Sequence, residues 1–298
     1  MRRFLDRLFE PRDIRPLAFL RIAFGLILLL DFTGHVATGE VRSAYIAPSF
    51  HFKYYGFEWV EPWGAQGMYL HFYLVAALAL SLALGLFYRA SAVLLFLGVT
   101  YVFLLEQAEY LNHYYLVCIL CFLFVILPAH GALSLDAFRK PAIRSDTVPA
   151  WTLLLLRAQL SIVYIYAGIA KLNPDWLRGE PMRSWLAGKA GLPVIGPLLE
   201  TEWAPYFFSY GGLLLDLLVV PLLLWKRTRL AGFGLAVFFH LTNAAVFEIG
   251  IFPWLMIAAT LLLFSADDVP GSAMGRAPPT RGRRTPPTSG SAASARCR

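Results

Sequence analysis

One lysine at the end of an apolar segment is the first residue in this sequence that could do chemistry. Lys171 closes a run that also holds Arg157, Ser161, Tyr164 and Gly168, with successive intervals of four, three, four and three positions. At that spacing the five residues line one face of a helix, and the rest of the segment is almost wholly Leu, Ile, Val and Ala. Because a charge within a bilayer costs roughly 2.5–3.5 kcal/mol, we expect this face to look onto a protein interior or a wet cavity.

A second interpretation of the two charged residues is that they only reach opposite membrane interfaces. Long basic side chains extend to the lipid–water boundary from positions inside it. If Trp151 lies at one interface, a helical rise of about 1.5 Å per residue carries Lys171 to the other. This interpretation suits Lys171 and suits Arg157 less well, since Arg157 lies six residues inside the segment. After Lys171, Pro174 disfavours helix, and Trp176 fits the aromatic belt of an interface.

Polar residues interrupt other apolar segments and extend the set of candidates. They are Arg21, Asp31, Asn112, His113, Asp216, His240 and Asn243, of which the last two stand one helical turn apart. Taken singly, such a residue is more often a satisfied hydrogen-bonding group than a catalyst. Asn112, His113 and Asn243, however, fall toward the same ends of their segments as Lys171 and Glu248. A histidine, a lysine and a carboxylate that converge at one membrane face would form a site that handles protons.

The elements that must position these residues are membrane helices. Of the 298 residues, 58% are apolar and 15% are charged, against about 25% charged in soluble domains. We predict an all-α, polytopic integral membrane helix bundle of about eight transmembrane helices, without an extramembrane domain. The predicted spans are 16–35, 69–87, 91–108, 112–128, 151–170, 206–225, 230–246 and 250–264. The fourth and the last two are interrupted by Asn112, His113, His240 and Pro253.

The basic residues predict the orientation of this bundle, because cytoplasmic loops carry an excess of Lys and Arg. Five arginines lie within residues 2–15, and the loops around Arg89, Lys140 and Arg227 fall on the same side when eight spans are counted. We therefore expect a multi-pass protein of the cell membrane with both termini cytoplasmic and the candidate site near the non-cytoplasmic face. The predicted divisions are a basic N-terminus (1–15), the transmembrane domain (16–266) and a disordered basic tail (267–298).

The net charge of +7 does not predict a nucleic-acid partner, because the basic residues lie in loops and in the tail, where membrane topology and contact with lipid explain them. Cys118 and Cys121 form a Cys-x-x-Cys pair inside an apolar run. One pair without further ligands nearby is weak evidence for a metal or redox site. We expect the two cysteines to be small buried residues of a helix core, and we predict no bound metal.

Five segments, in order along residues 12–265, resemble the HTTM (horizontally transferred transmembrane domain) family. This family includes the membrane part of the vitamin K-dependent gamma-glutamyl carboxylase. The segments are RPLAFLRIAFGLILLLDF (15–32), FKYYGFEWV (52–60), LNHYYL (111–116), YAGIAKLNPDWLRGEPM (166–182) and HLTNAAVFEIGIFPW (240–254). The Asn-His-x-Tyr-Leu and Ala-Gly-x-x-Lys-Leu-x-x-Asp-Trp elements are the most specific parts of the resemblance.

The resemblance implies a reaction for these residues. In the carboxylase a lysine deprotonates reduced vitamin K, oxygen adds to the quinol anion, and the strong base that results takes a glutamate proton before carbon dioxide is captured. Lys171 would be the first base, His113 would stabilise the carbanion or assist proton transfer, and Asn112 would hydrogen-bond the quinol. An amine can serve in this way only if its surroundings lower its pKa from about 10.4 toward about 7–8.

The implied cofactor is a reduced quinone similar to vitamin K hydroquinone. The implied partners are membrane lipid, the lipophilic quinol and a peptide or protein substrate. The remaining polar and aromatic candidates are expected to bind the substrate or the quinone; they are Arg157, Tyr164, Trp176, His240 and Asn243.

Two departures from the carboxylase weaken the case for protein carboxylation. The carboxylase has two adjacent lysines where this chain has Ala170 and Lys171, and it has a large lumenal domain where this chain has a short tail. The alternative function is therefore a non-catalytic membrane protein, for transport, peptide export or immunity, that reuses the fold. An inverted repeat would favour a transporter, and the sequence has no clear one. His113 and Lys171 together at their motif positions favour the enzyme.

Overall fold

The computed structural model describes residues 2–189, 191–193, 195–247 and 249–263. Glu248 and the predicted tail 267–298 lie outside the described residues. The helices in chain order are α1 (Arg2–Leu8), α2 (Arg15–Thr38), α3 (Ala65–Leu84), α4 (Tyr88–Leu105), α5 (Asn112–Ile126), α6 (Leu135–Arg139), α7 (Ala150–Ala170), α8 (Pro174–Leu177), α9 (Glu180–Ala187), α10 (Gly196–Leu199), α11 (Ala204–Leu224), α12 (Arg229–Phe247) and α13 (Phe252–Thr260).

Shorter elements complete the described chain. A π-helical segment covers Val41–Ile46, and 3₁₀ turns cover Gln107–Glu109, Pro141–Ile143 and Leu261–Leu263. Two strands, β1 (Pro11–Asp13) and β2 (Thr147–Pro149), pair antiparallel with Arg12 opposite Val148. The all-α membrane class is confirmed, with this three-residue ribbon as an addition that the sequence analysis did not anticipate.

Six helices are long and apolar enough to cross a bilayer by themselves: α2, α3, α4, α7, α11 and α12. The predicted fourth and eighth spans correspond to shorter elements. Helix α5 has 15 residues, which is about 22 Å of helix against a hydrocarbon core of about 30 Å. Helix α13 has nine residues and continues into a 3₁₀ turn. The number of eight spans is therefore approximate, since two of the eight are shorter than a full span.

The β1–β2 ribbon shows that α2 and α7 begin at the same end of the bundle, which we call the ribbon end. Since successive helices run antiparallel, the chain between these two starting points crosses an even number of times, and α2, α3, α4 and α5 supply the four crossings. Later in the chain, Arg157 near the start of α7 donates from Nε to the carbonyl of Leu262, 2.7 Å away. Helix α13 thus leads back toward the ribbon end, as α5 does.

A buried arginine closes the ribbon end. Arg21 of α2 is fully buried, and its guanidinium donates to the carbonyls of Ala83, Ala129, Ala132 and Leu133. These oxygens belong to the last turn of α3 and to the loop after α5, where carbonyls have no helical partner. Gly85 ends α3 at φ +61°, a left-handed conformation that favours glycine. An added Cβ at this position would also overlap the Ser134 side chain.

The opposite end of the bundle is covered by an aromatic segment between α2 and α3, FKYYGFEWVEPWG (52–64). Buried Glu106 receives hydrogen bonds from the backbone of Phe52 and Ala108 and lies 3.1 Å from Nδ1 of His51. Tyr101 of α4 donates to the carbonyl of Glu61 at 2.9 Å. The segment is therefore bound to the end of α4, next to the start of α5. The candidate residues His113 and Lys171 lie at this same end.

Candidate functional site

The polar face predicted on α7 looks into the bundle. Tyr164 is buried against α12 and α13, and Gly168 is buried against α11, where an added Cβ would lie 2.6 Å from Leu217 Cδ2. Ser161 donates to the carbonyl of Arg157 within the helix. The expectation that this face meets a protein interior is confirmed, and Gly168 is a position where α7 and α11 approach closely.

Lys171 ends α7 and forms an ion pair with Asp216 of α11. Its Nζ lies 2.5 Å from Asp216 Oδ2 and 3.4 Å from the carbonyl of Ala167. The two side chains are 19% and 6% exposed. Nζ also lies 5.1 Å from the centre of the Trp176 ring, a cation–π distance. An ion pair this far from water persists because each charge satisfies the other.

The Asn-Pro-Asp-Trp sequence after Lys171 positions that tryptophan. The side chain of Asn173 accepts a hydrogen bond from the backbone N–H of Trp176 at 2.9 Å, so Asn173 caps α8 with Pro174 in the first turn. The indole Nε1 of Trp176 then donates to the carbonyl of Ser209 on α11 at 2.8 Å. A locally encoded turn thereby fixes the aromatic ring beside the lysine.

Gly212 lies at the centre of a group of residues that we call the lysine cluster. Its members are Lys171, Trp176, Ser209, Gly212 and Asp216. A Cβ on Gly212 would lie 3.9 Å from Lys171 Cε, 3.9 Å from the Trp176 ring and 3.8 Å from the ring of Phe239. The three side chains therefore converge around one buried glycine. The fully buried Ser209 Oγ has no hydrogen-bond partner among the described residues.

Asp216 belongs to this cluster, although it was not among the predicted site residues. The sequence signal was present, because an aspartate stands in an otherwise apolar segment, and a charge at that depth needs a partner. What the sequence did not show is that its partner is Lys171, 45 positions away. Asp216 supplies the opposite charge, so the pair forms a charge-assisted hydrogen bond between Nζ and Oδ2.

A second group, which we call the histidine cluster, joins Tyr164, His240, Phe252 and Thr260. Thr260 Oγ1 donates to the carbonyl of Met256 at 2.6 Å. Tyr164 Oη lies 3.1 Å from Thr260 Oγ1 and 2.9 Å from His240 Nε2. All of these polar groups are buried.

The hydrogen-bond directions in the histidine cluster follow from the first donor. A carbonyl can only accept, so the hydroxyl proton of Thr260 points to Met256. Thr260 Oγ1 must then accept from Tyr164, and Tyr164 Oη must accept from the Nε2–H of His240. The neutral His240 therefore carries its proton on Nε2 and has a free lone pair on Nδ1. This Nδ1 is buried without a partner among the described residues.

His113 lies beside this cluster, and within the described part of the chain no hydrogen bond, ion pair or ring contact joins it to Lys171. Its ring is buried, and its centre lies 5.9 Å from that of Phe252, which in turn lies 5.8 Å from that of His240. Phe252 thus separates the two imidazoles. Between Tyr164 and Lys171 lie two turns of α7, about 10 Å. Consecutive residues of α12 connect the clusters, since Phe239 faces Gly212 and His240 faces Tyr164.

The other predicted site residues have varied surroundings. Asn112 is exposed at the start of α5, and Asn243 is buried in α12 one turn after His240. Arg157 donates a hydrogen bond to the carbonyl of Leu262, so it joins α7 to the 3₁₀ turn after α13. The cysteines behave as expected, since Cys118 and Cys121 are both buried and free.

An apolar groove of about 320 Å³ lies between α4 and α5, away from both clusters. Its walls include Phe96, Phe103, Cys118 and Phe122, and Phe57 of the aromatic segment lies at its rim. Such a groove is suited to a lipid chain.

Comparison with known protein families gives one match. The model of a family described as HTTM domain matches residues 9–268, which includes every residue of both clusters. No solved structure matches the chain.

Proposed function

Since the chain belongs to the HTTM domain family and is an integral membrane protein, we propose that it is a quinol-dependent membrane enzyme. In this proposal Lys171 takes a proton from a reduced quinone, and oxygen drives deprotonation or carboxylation of a second substrate. The observation that carries the proposal is the buried pair of Lys171 and Asp216, which can hold a proton on either partner.

The residues at the two clusters fit a ligand that carries hydroxyl groups. Buried polar groups are normally hydrogen-bonded, yet Ser209 Oγ and His240 Nδ1 lack partners among the described residues. The lone pair of His240 Nδ1 can accept a hydrogen bond from a ligand hydroxyl, and Ser209 Oγ can donate or accept. The aromatic rings of Trp176, Phe239 and Phe252 provide apolar surroundings suited to a quinone ring.

In the proposed mechanism the Lys171–Asp216 pair moves one proton. A bound quinol would supply the acidic hydroxyl and the electrons that oxygen takes up. When the shared proton sits on Asp216 Oδ2, Lys171 is a neutral amine, and its one lone pair can take the quinol proton once the Asp216 hydroxyl no longer donates to it. The ammonium that forms then places positive charge beside the negative charge that develops on the substrate. Such a positioned charge stabilises most strongly in a site of low dielectric. The pair then carries one extra proton, which it releases to water once the site has emptied, and the starting form is restored.

The test is quinol oxidation by the purified protein in lipid nanodiscs. Vitamin K hydroquinone and oxygen are added, and the epoxide and quinone products are measured. We expect the wild type to turn over, Lys171→Ala to lose turnover, and the matched control Lys189→Ala to retain it. Turnover that survives Lys171→Ala would show that Lys171 is not the base.

The alternative, a non-catalytic role in transport, peptide export or immunity, predicts a different result. In that case the wild type neither oxidises the hydroquinone nor binds quinone. A binding measurement by quenching of tryptophan fluorescence separates the two, because Trp176 and Trp185 pack together beside the lysine cluster at 6.1 Å between ring centres. Binding without turnover would support a quinone sensor or carrier over an enzyme.

A further inference from the structure

A second network of ionisable residues lies outside both clusters, at the end of the bundle opposite the ribbon. Tyr114 of α5 donates from Oη to Asp31 Oδ2 of α2 at 2.8 Å. The same Oη lies 3.2 Å from Nε2 of His35, one turn further along α2. That Nε2 lies 3.4 Å from Oε2 of Glu40, just beyond the end of α2. One hydroxyl therefore connects a buried carboxylate with a histidine that contacts a surface carboxylate.

Exposure rises in steps along this network. The side chains of Asp31, His35 and Glu40 are 9%, 22% and 58% exposed. The rings of Phe32 and Phe72 pack against His35, with centres about 6 Å away. The two apolar rings thus shield the buried part of the network from water, and Glu40 is its exposed end. Gly39, at φ +83°, turns the chain so that Glu40 comes back toward His35.

The hydrogen bonds allow two arrangements of the same proton. His35 Nδ1 lies 2.8 Å from the carbonyl of Asp31 and must donate to it, because a carbonyl only accepts. In one arrangement His35 also carries a proton on Nε2 and is an imidazolium, while Tyr114 donates to the Asp31 carboxylate. In the other, Tyr114 donates to the bare Nε2 of a neutral His35, and a protonated Asp31 donates to Tyr114.

We propose that Asp31, Tyr114 and His35 form a proton relay that opens to the surface at Glu40. One transfer moves the Nε2 proton of His35 to Tyr114 Oη, and at the same time moves the hydroxyl proton of Tyr114 to Asp31 Oδ2. The N–H and O–H bonds that break are replaced by two O–H bonds, and no charge is left on the tyrosine. An imidazole ring nitrogen can accept a proton and donate it again, which suits His35 to this exchange.

Other charged groups face the relay from neighbouring segments. Tyr45 of the π-helical segment lies near Asp31, Glu40, Glu106 and Glu109, and burial raises its pKa above the usual range. Tyr45 therefore stays protonated and does not compete for the transferred proton.

The relay lies next to the candidate site. Tyr114 follows His113 in α5, and the two ring centres are 5.0 Å apart. A role in exchanging protons between the site and the surface rests on the proposed function, whereas proton exchange along the relay itself does not. The two are therefore tested by separate measurements.

The relay is tested by infrared spectroscopy of the protein in nanodiscs. The carboxylic acid band of Asp31 is assigned by its loss in Asp31→Asn, and its rate of hydrogen–deuterium exchange is followed after dilution into D₂O. In Tyr114→Phe, which keeps the ring and removes the hydroxyl, we expect exchange to slow by about tenfold or more. The control Tyr115→Phe alters an exposed tyrosine on the next position and should leave the rate unchanged.

A second variant covers the case in which Tyr114→Phe does not fold. Glu40→Gln changes an exposed side chain and should slow the same exchange with an unchanged melting temperature. Equal exchange rates in the wild type and in the folded variants, or the absence of a protonated Asp31 at any pH, would overturn the relay. If the relay is found while the wild type shows no quinol turnover, the relay stands and the proposed enzyme does not.

Discussion

The amine of Lys171 and the carboxylate of Asp216 lie 2.5 Å apart, between the end of α7 and the middle of α11. This pair decides how the lysine can act. A membrane-surface lysine would extend into water, whereas Lys171 turns toward a buried carboxylate and an indole ring. Any basic role of Lys171 therefore depends on Asp216, and substitutions of the two residues are expected to have coupled effects.

Asp216→Asn should both destabilise the protein and abolish quinol oxidation. Removing one partner of a buried ion pair leaves the other charge uncompensated, at a cost of about 3 kcal/mol, the low end for a pair that is partly accessible. Thermal unfolding in detergent measures this loss. The exposed pair Asp175–Arg178 is the matched control, and Asp175→Asn should change stability by less than about 1 kcal/mol.

The double substitution Lys171→Met with Asp216→Leu distinguishes stability from chemistry. Apolar residues that replace both members of a buried pair often restore stability. We expect this variant to melt near the wild-type temperature and to remain inactive. Recovered activity in the double variant would contradict a role for the pair in proton transfer.

Tyr164→Phe should allow His240 to populate both of its neutral tautomers. The substitution removes the acceptor of the Nε2–H bond and the donor to Thr260, and a buried unsatisfied group costs about 1–3 kcal/mol. Nitrogen NMR of labelled histidine should show a proton on Nε2 of His240 in the wild type and a mixture of tautomers in the variant. Tyr166→Phe, at an exposed position on the same helix, should show neither effect. A proton on Nδ1 in the wild type would be incompatible with the hydrogen-bond directions inferred for this cluster.

Gly168→Ala should weaken the contact between α7 and α11. The new Cβ would lie 2.6 Å from Leu217 Cδ2 and 3.3 Å from the Leu217 backbone nitrogen, so the helices would have to separate. Overpacking of this kind costs about 1–3 kcal/mol. Gly211→Ala provides the control, because an added Cβ there meets nothing within 4 Å; alanine's higher helix propensity should leave stability unchanged or raise it by up to about 1 kcal/mol. Similar melting temperatures for the two variants would show that the helices tolerate the extra methyl group.

The predicted orientation can be tested by cysteine labelling in intact cells. In a Cys297→Ser background, Ala142→Cys marks the ribbon end, and Tyr55→Cys marks the opposite end at a side chain that is 98% exposed. Cys118 and Cys121 are buried and should not react. A membrane-impermeant maleimide should label position 55 and label position 142 only after lysis, because the basic ribbon end is expected in the cytoplasm. The reverse pattern would invert the topology.

The sequence by itself determined the class of the protein and much of its local structure. Apolar length predicted the membrane helices, and the spacing of Arg157, Tyr164, Gly168 and Lys171 predicted a face that turns inward, which the packing of α7 confirms. The turn after Lys171 was also predictable, since Asn173 and Pro174 act on their own neighbours. These features depend on interactions within a few residues or on hydrophobicity alone.

Only the tertiary structure decided which polar groups meet. Lys171 and Asp216 are 45 positions apart, Tyr164 and His240 are 76 apart, and Asp31 and Tyr114 are 83 apart. Each pairing depends on the rotation of two helices about their axes and on which helices are neighbours. Almost every face of these helices is apolar, so composition does not fix the rotation, which results from packing over the whole bundle. For that reason the sequence indicated the lysine, and the fold supplied the carboxylate that determines what the lysine can do.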